Sequence, residues 1–155
     1  MKPATHPSAE RISQLLREAG VDTQVVEFEQ TTRTSADAAA AIGCTVAEIA
    51  KSVVFRAIRS GQAVVVVASG ANRVSEEKVA AKVGEPLARA DAEFVRAATG
   101  YVIGGVAPIG HAQPVKLLLD EDLRQFARVW AAAGTPHTVF PLTPDSDEIA
   151  SAIGH

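Results

Sequence analysis

The chain has one cysteine, Cys44, in 155 residues. No internal disulfide can form, and a Cys-rich metal site is excluded; this cysteine usage is that of a reducing compartment. Long apolar runs are also missing. The longest, Ala63 to Ala68, falls far short of the ~20 residues that cross a bilayer. The N-terminal "MKPATHPSAER" lacks the apolar centre of a secretory signal, so a cytoplasmic address with no membrane contact is expected. Positive charge is scarce: 15 Lys and Arg against 18 Asp and Glu leave a formal charge of -3. That is the wrong sign for coating long stretches of nucleic-acid backbone, and no DNA partner is expected. Basic residues recur at Arg11, Arg17, Arg56, Arg59, Arg73, Lys78, Lys82 and Arg89, interrupted by Glu76, Glu77 and Glu85. Such a mixture reads as a solvated surface with room for a small local contact with RNA.

Several chemistries lack their motifs. "GGVAPIGH" is not a P-loop, because the lysine and hydroxyl that hold phosphate and magnesium are missing, and GxGxxG does not occur. His6, His111, His137 and His155 never stand at i, i+4 on a helix beside a glutamate, the spacing of a zinc hydrolase. No GxSxG elbow marks a serine nucleophile. Neither a metal nor a cofactor is expected.

What remains is an ordinary globular composition, 47% apolar and 21% charged, at a length suited to one domain spanning residues 1–155. Ile12, Leu15, Leu16 and Ala19 recur at helical spacing between a Ser8 cap and a Gly20 stop. "QVVEF" predicts a strand, and "QTTRTS" leads to a cap at Thr34 or Ser35 before the short helix "ADAAAAIG". Thr45 and Glu48 form a capping box. The β-branched segments "KSVVFRAIR" and "AVVVVA", separated by "SGQ", predict an antiparallel hairpin. Helices follow in "SEEKVAAKVG" and, from Asp91 to Gly100, in "AEFVRAAT"; "YVI", "VKLLLD", "RVWAA" and "TVFPL" are of strand length. Thr143 and Pro144 open a last helix, "PDSDEIASAIG". The pattern is α/β of the α+β type, a single domain around a mixed sheet and not a doubly wound parallel one.

Two features invite chemistry. On a strand, Lys51 shares a face with Val53, Phe55 and Ala57, so its ammonium stands over apolar surface where a phosphate or polar ester could meet it; the alternative is a lysine that snorkels to water. "GYVIGGVAPIGH", residues 100–111, packs four glycines and Pro108 into one segment. Its glycines let a ligand approach the main chain, or else simply make a tight connection between strands.

The order "AEIAKSVVF", "SGANRVSEEKVAAKVG", "GYVIGGVAPIGH", "VWAAAGTPH" resembles the YbaK/EbsC family, freestanding relatives of the editing domain inserted in bacterial prolyl-tRNA synthetase. The likeness runs from Ile12 to Ile153. It implies a largely antiparallel, barrel-like curved sheet with surrounding helices, and hydrolysis of the ester joining a wrong small amino acid (Ala, Ser or Cys-like) to the 3' end of a tRNA, most often tRNA(Pro). By resemblance, Lys51 contacts the terminal nucleotide and orients the ester, while Gly104, Gly105, Val106, Ala107 and Pro108 form the loop that holds the aminoacyl group. The alanines and glycine of "AAAG", Ala131 to Gly134, correspond to the wall of a small pocket, with Ala133 and Gly134 as its substrate contacts. Asn72 and His137 correspond to further substrate contacts, each of these two with a structural alternative in a turn. The implied partners are the aminoacyl-tRNA 3' end and a prolyl-tRNA synthetase; no metal or cofactor is implied. The resemblance leaves the oligomeric state open, and a monomer is the expectation only in that no exposed apolar helix or long edge strand is obvious in the sequence. Departures from the pattern are Ser75, where relatives often carry an acid, Ala107 before the loop's proline, and "GTPH", which favours a small aliphatic or hydroxyl amino acid over cysteine. The competing expectation is a non-catalytic module that binds aminoacyl-tRNA or aminoacyl-adenosine.

Overall fold

A computed structural model describes residues 2–4, 6–18, 23–28 and 34–143. The last predicted helix, "PDSDEIASAIG", and the Gly20 stop lie outside these residues.

Among the described residues, four helices form where local hydrogen bonding closes their ends. In α1 (Pro7–Glu18) the ring nitrogen Nδ1 of His6 accepts the Ser8 N–H at 3.0 Å, so the start falls two residues before the predicted Ser8 cap, with Pro7 at the first helical position it tolerates well. Thr34 caps α2 (Ser35–Ile42) by accepting the Asp37 N–H. Ser75 and Asp91 do the same for α3 (Glu76–Val83) and α4 (Ala92–Thr99), and each of these three helices ends at a left-handed glycine: Gly43, Gly84 and Gly100. The Thr45–Glu48 capping box is present and closes a single 3-10 turn, Val46–Glu48.

Eight strands among the described residues make one mixed sheet: β1 (Lys2–Pro3), β2 (Val26–Glu27), β3 (Ile49–Ala57), β4 (Ala63–Ser69), β5 (Leu87–Arg89), β6 (Lys116–Leu119), β7 (Val129–Ala132) and β8 (Thr138–Leu142). Their order is β1-β2-β8-β7-β3-β4-β6, with β5 branching from β3. The β3–β7 and β4–β6 pairs are parallel and the other five antiparallel, as a mixed, largely antiparallel sheet requires. The sheet is open, with β1 and β6 at its ends. The predicted hairpin is β3–β4, in register Phe55↔Val64. Its turn is longer than "SGQ", because the Glu85 carboxylate accepts the N–H groups of Arg59 and Ser60 and draws the end of "KSVVFRAIR" out of the strand. "YVI" is not a strand: the Thr99 hydroxyl takes the Tyr101 N–H and the Gly105 N–H turns back to the Val102 carbonyl, leaving no extended edge to pair.

β4 explains why the molecule has two cores. Val65 and Val67 enter one with Ile12, Leu16, Phe140 and Leu142, while Val64, Val66 and Ala68 enter the other with Phe55 and Val79. Each fully buried valine contributes about 1.5–3 kcal/mol, and a strand covered on both faces reads as an unbroken apolar run.

Beside β4, β3 forks. Along its other edge it pairs with β7 at Ile49 and Ala50 and with β5 at Phe55 to Ala57. Among the described residues, 51–54 have no strand partner on that edge. The fork opens a gap at the middle of the sheet.

Candidate functional site

The gap is where a cleft of about 180 Å³ forms. β3 contributes Lys51 and Ser52, the glycine loop Gly104 and Val106, β7 Trp130 and Ala132, the connection from β7 to β8 Thr135 and Pro136, and β8 Thr138. Three residues singled out in the sequence, Lys51, Gly104 and Val106, therefore line one cleft. Lys51 is half-buried, and its Nζ donates to the main-chain carbonyl of Asn72 at 2.5 Å. An ammonium has three N–H donors, and this is the one hydrogen bond it makes among the described residues.

The adjacent glycines serve different ends. Gly104 has φ 87° with only the Pro136 side chain near its missing Cβ, at 3.8 Å, so the backbone conformation is what calls for glycine. At Gly105 a Cβ would lie 2.7 Å from the Thr135 main chain, so here the close approach calls for it. The loop is tied from behind. The Tyr101 hydroxyl donates to the Ile109 carbonyl at 2.6 Å, Arg11 Nη2 donates to the Gly110 carbonyl at 3.1 Å, and His111 Nε2 meets the Ala107 carbonyl at 2.9 Å. The rings of Tyr101 and His111 meet edge to face with centroids 6.2 Å apart. Burial lowers the His111 pKa below the usual histidine value, against the hydrogen bond to Ala107, and burial raises that of Tyr101. A neutral His111 donates its Nε2 hydrogen to the carbonyl.

The other predicted positions are placed elsewhere. Ala107 and Pro108 are fully buried, so the Ala107 methyl supports the loop and does not reach the cleft rim. The alternation of β7 turns Ala131 and Ala133 into the core and Trp130 and Ala132 into the cleft, so one of the three alanines of "AAAG" lines it. Gly134, at φ 97°, packs against Ser8 and Tyr101. It and the exposed His137 border a second hollow of about 390 Å³, separated from the cleft by Thr135 and Pro136, which touch both. His137 holds that wall through its main chain, donating to Thr135 Oγ1 at 3.1 Å and accepting from the Phe28 N–H at 2.8 Å. The side-chain amide of Asn72 is committed to Asp120 and Asp122, each at 2.8 Å; its carbonyl, not its amide, faces Lys51.

Trp130, Thr135, Thr138 and Ser52 line the cleft without having been singled out in the sequence, and Ala132 is the member of the expected "AAAG" wall that reaches it. The alternation of "VWAAA" pairs Trp130 with Ala132, but only the parallel register Ile49↔Trp130 puts them on the side of Lys51. The hydroxyls of Thr135 and Thr138 lie 2.9 Å apart, and Thr138 also reaches the Ala133 carbonyl at 3.2 Å, so the polar floor of the cleft is internally bonded. Among the described residues no group of three His, Cys, Asp or Glu has metal-binding geometry, and no helix is long and apolar enough to cross a membrane.

Known proteins share this fold. A crystal structure of "a putative trans-editing enzyme for prolyl tRNA synthetase" superposes with a TM-score of 0.89 at 42% identity, covering 97% of this chain and 94% of that one. A structure from "epitope backbone grafting by computational design" superposes with the same TM-score at 41% identity, with coverages of 97% and 94%. The uncharacterized protein YwhH of Bacillus subtilis is 33% identical over 123 residues, 79% of this chain and 78% of its own length. The aminoacyl-tRNA editing domain profile matches residues 29–148, a span that includes Lys51, the glycine loop and the β7–β8 connection. This chain therefore belongs to the aminoacyl-tRNA editing domain family.

Proposed function

We propose that this protein is a trans-acting deacylase that hydrolyses the ester between a small amino acid, alanine- or serine-like, and the 3' end of a tRNA, with mischarged tRNA(Pro) the leading substrate and a prolyl-tRNA synthetase the partner it would serve. The observation that carries the reading is the convergence of Lys51 and Gly104 on one cleft of about 180 Å³. Drug-sized pockets run to about 300–1,000 Å³; this one suits a single small aminoacyl group with the rest of the tRNA outside. Gripping one 3' end involves few phosphates, so a net charge of -3 is no obstacle.

The chemistry asks little beyond placement. An aminoacyl ester is already activated: water, or the neighbouring ribose hydroxyl followed by water, attacks the carbonyl carbon, the acyl–oxygen bond breaks, and the amino acid leaves while the ribose oxygen regains a proton. What lowers the barrier is a fixed geometry and donors aimed at the developing oxyanion. The Lys51 ammonium and the main chain of the Gly104–Val106 loop are the groups suited to those roles, held by β3 and by the Arg11–Tyr101–His111 bracing. A narrow cleft sorts by size, and one methylene there is worth about 1–3 kcal/mol.

The test is a panel of mischarged tRNAs followed for loss of the ester. Hydrolysis of an alanyl or seryl ester well above background, reduced about 100-fold or more in Lys51→Ala, is expected. No hydrolysis of any member, or full activity in Lys51→Ala, rejects the proposal, and saturable binding without turnover replaces it with a binding module.

A further inference from the structure

Lysine carries one of the largest side-chain entropies, so a lysine that orients an ester needs something to hold it. The holder is the Asn72 carbonyl, and the reason that carbonyl stays in place is found on another strand. Asp120 follows β6, where its N–H is bonded to the Val67 carbonyl at 2.8 Å, pinning it to β4. Its Oδ1 accepts the Asp122 N–H at 2.9 Å; its Oδ2 accepts both the Ser69 N–H at 3.0 Å and the Asn72 amide at 2.8 Å. The second amide contact of Asn72, to Asp122, comes from the same turn. The segment between Ser69 and Asn72 is closed by the Asn72 N–H donating to the Ser69 carbonyl and the Gly70 N–H to the Ile49 carbonyl.

The result is a chain of contacts: carboxylate to amide, the same residue's carbonyl to ammonium. Burial works to raise the Asp120 pKa, but the bonds from Asn72, Ser69 and Asp122, with the nearby charge of Lys51, outweigh it and hold the carboxyl below its ordinary value. Asp120 therefore stays an acceptor for all three donors, the Asn72 amide and the Ser69 and Asp122 N–H groups, at neutral pH.

We infer that Asp120 is a positioning residue for Lys51, acting through Asn72, and that Asn72 serves the site by its main-chain carbonyl and not as a side-chain contact to substrate. The inference rests on the reading of Lys51 as the residue that orients the ester.

A double-mutant cycle separates the two. In the parent, Asp120→Asn and Asn72→Ala are each expected to lower kcat on the susceptible aminoacyl-tRNA by about 10- to 100-fold, the scale of an ångström-level misplacement, with KM within about twofold. In a Lys51→Ala background, where nothing is left to position, the same changes are expected to leave the residual rate within about twofold. An equal loss in both backgrounds, or full activity of both single variants, overturns the inference while leaving the deacylase reading intact. Full activity of Lys51→Ala instead rejects the role of Lys51 and the inference with it. A readout without turnover is the Lys51 side-chain ammonium NMR signal, protected from exchange in the parent and expected to be lost in Asn72→Ala, which also serves should Asp120→Asn fail to fold; a signal that persists unchanged there overturns the inference.

Discussion

Gly105 lies against the main chain of Thr135 so closely that a Cβ on it would sit 2.7 Å from both Thr135 Cα and its carbonyl carbon. Gly104, beside it, has room for a methyl group but a φ of 87°. The two therefore fail differently when replaced. Gly105→Ala is expected to push the loop off the Thr135 wall, costing about 1–3 kcal/mol of stability and most of the activity. Gly104→Ala costs about 1 kcal/mol or somewhat more through backbone strain with a smaller displacement. Urea denaturation beside deacylation rates measures both, and equal rates for the two variants would contradict this division.

The cleft's size should be adjustable at Ala132, whose side chain faces it from β7. Ala132→Val is expected to lower kcat/KM for an alanyl ester about 10-fold or more, since added carbons in a small pocket are worth about 1–3 kcal/mol. A glycyl ester should be affected less. The comparison of the two esters is the measurement, and uniform loss for both would place the effect outside the cleft.

Trp130 is the chain's single tryptophan, and it lines the cleft. Its fluorescence should therefore report occupancy without any label. Titration with a non-hydrolysable 3'-alanylamido-adenosine is expected to change emission saturably in the parent and much more weakly in Lys51→Ala. An unchanged spectrum at saturating ligand, with binding verified by calorimetry, would mean that the aminoacyl group sits elsewhere.

His111 sets an acid limit on the loop. Its folded-state pKa lies below the ordinary 6.5 because burial opposes the charged form. The unfolded chain then binds more protons in this range, so stability falls as pH drops from about 6.5 toward the folded value and is unaffected above it. Asp120, Glu48 and Glu85 are also lowered, by hydrogen bonds to their charged forms; their contributions are lost only as pH falls below their ordinary values of 3.8 to 4.5. Denaturation at pH 7.5, 6.5 and 5.5 should show a loss that His111→Gln flattens. A parent and variant with parallel profiles would remove His111 from this role.

Much of the frame was legible because its causes are local. Caps at Thr34, Ser75 and Asp91 and glycine stops at Gly43, Gly84 and Gly100 are contacts within a few residues, and the β3–β4 hairpin joins neighbours in the chain. Short strands were harder. β1 and β5 are two and three residues long, below the length at which alternation shows, and "YVI" has strand composition but spends its hydrogen bonds on Thr99 and a turn.

The sequence by itself determined the residue types on which the site depends: a lysine at the head of an apolar strand, adjacent glycines with Pro108 behind them, and a run of small residues after Trp130. Tertiary structure decided which of them meet. The parallel register Ile49↔Trp130 turned Ala132 toward Lys51 and Ala133 away, the fork of β3 between β7 and β5 opened the cleft, and Asp120 claimed the amide of Asn72. Each of these joins residues distant in the chain. Such contacts follow from the packing of the whole core on both faces of β4, not from any preference a short segment holds alone.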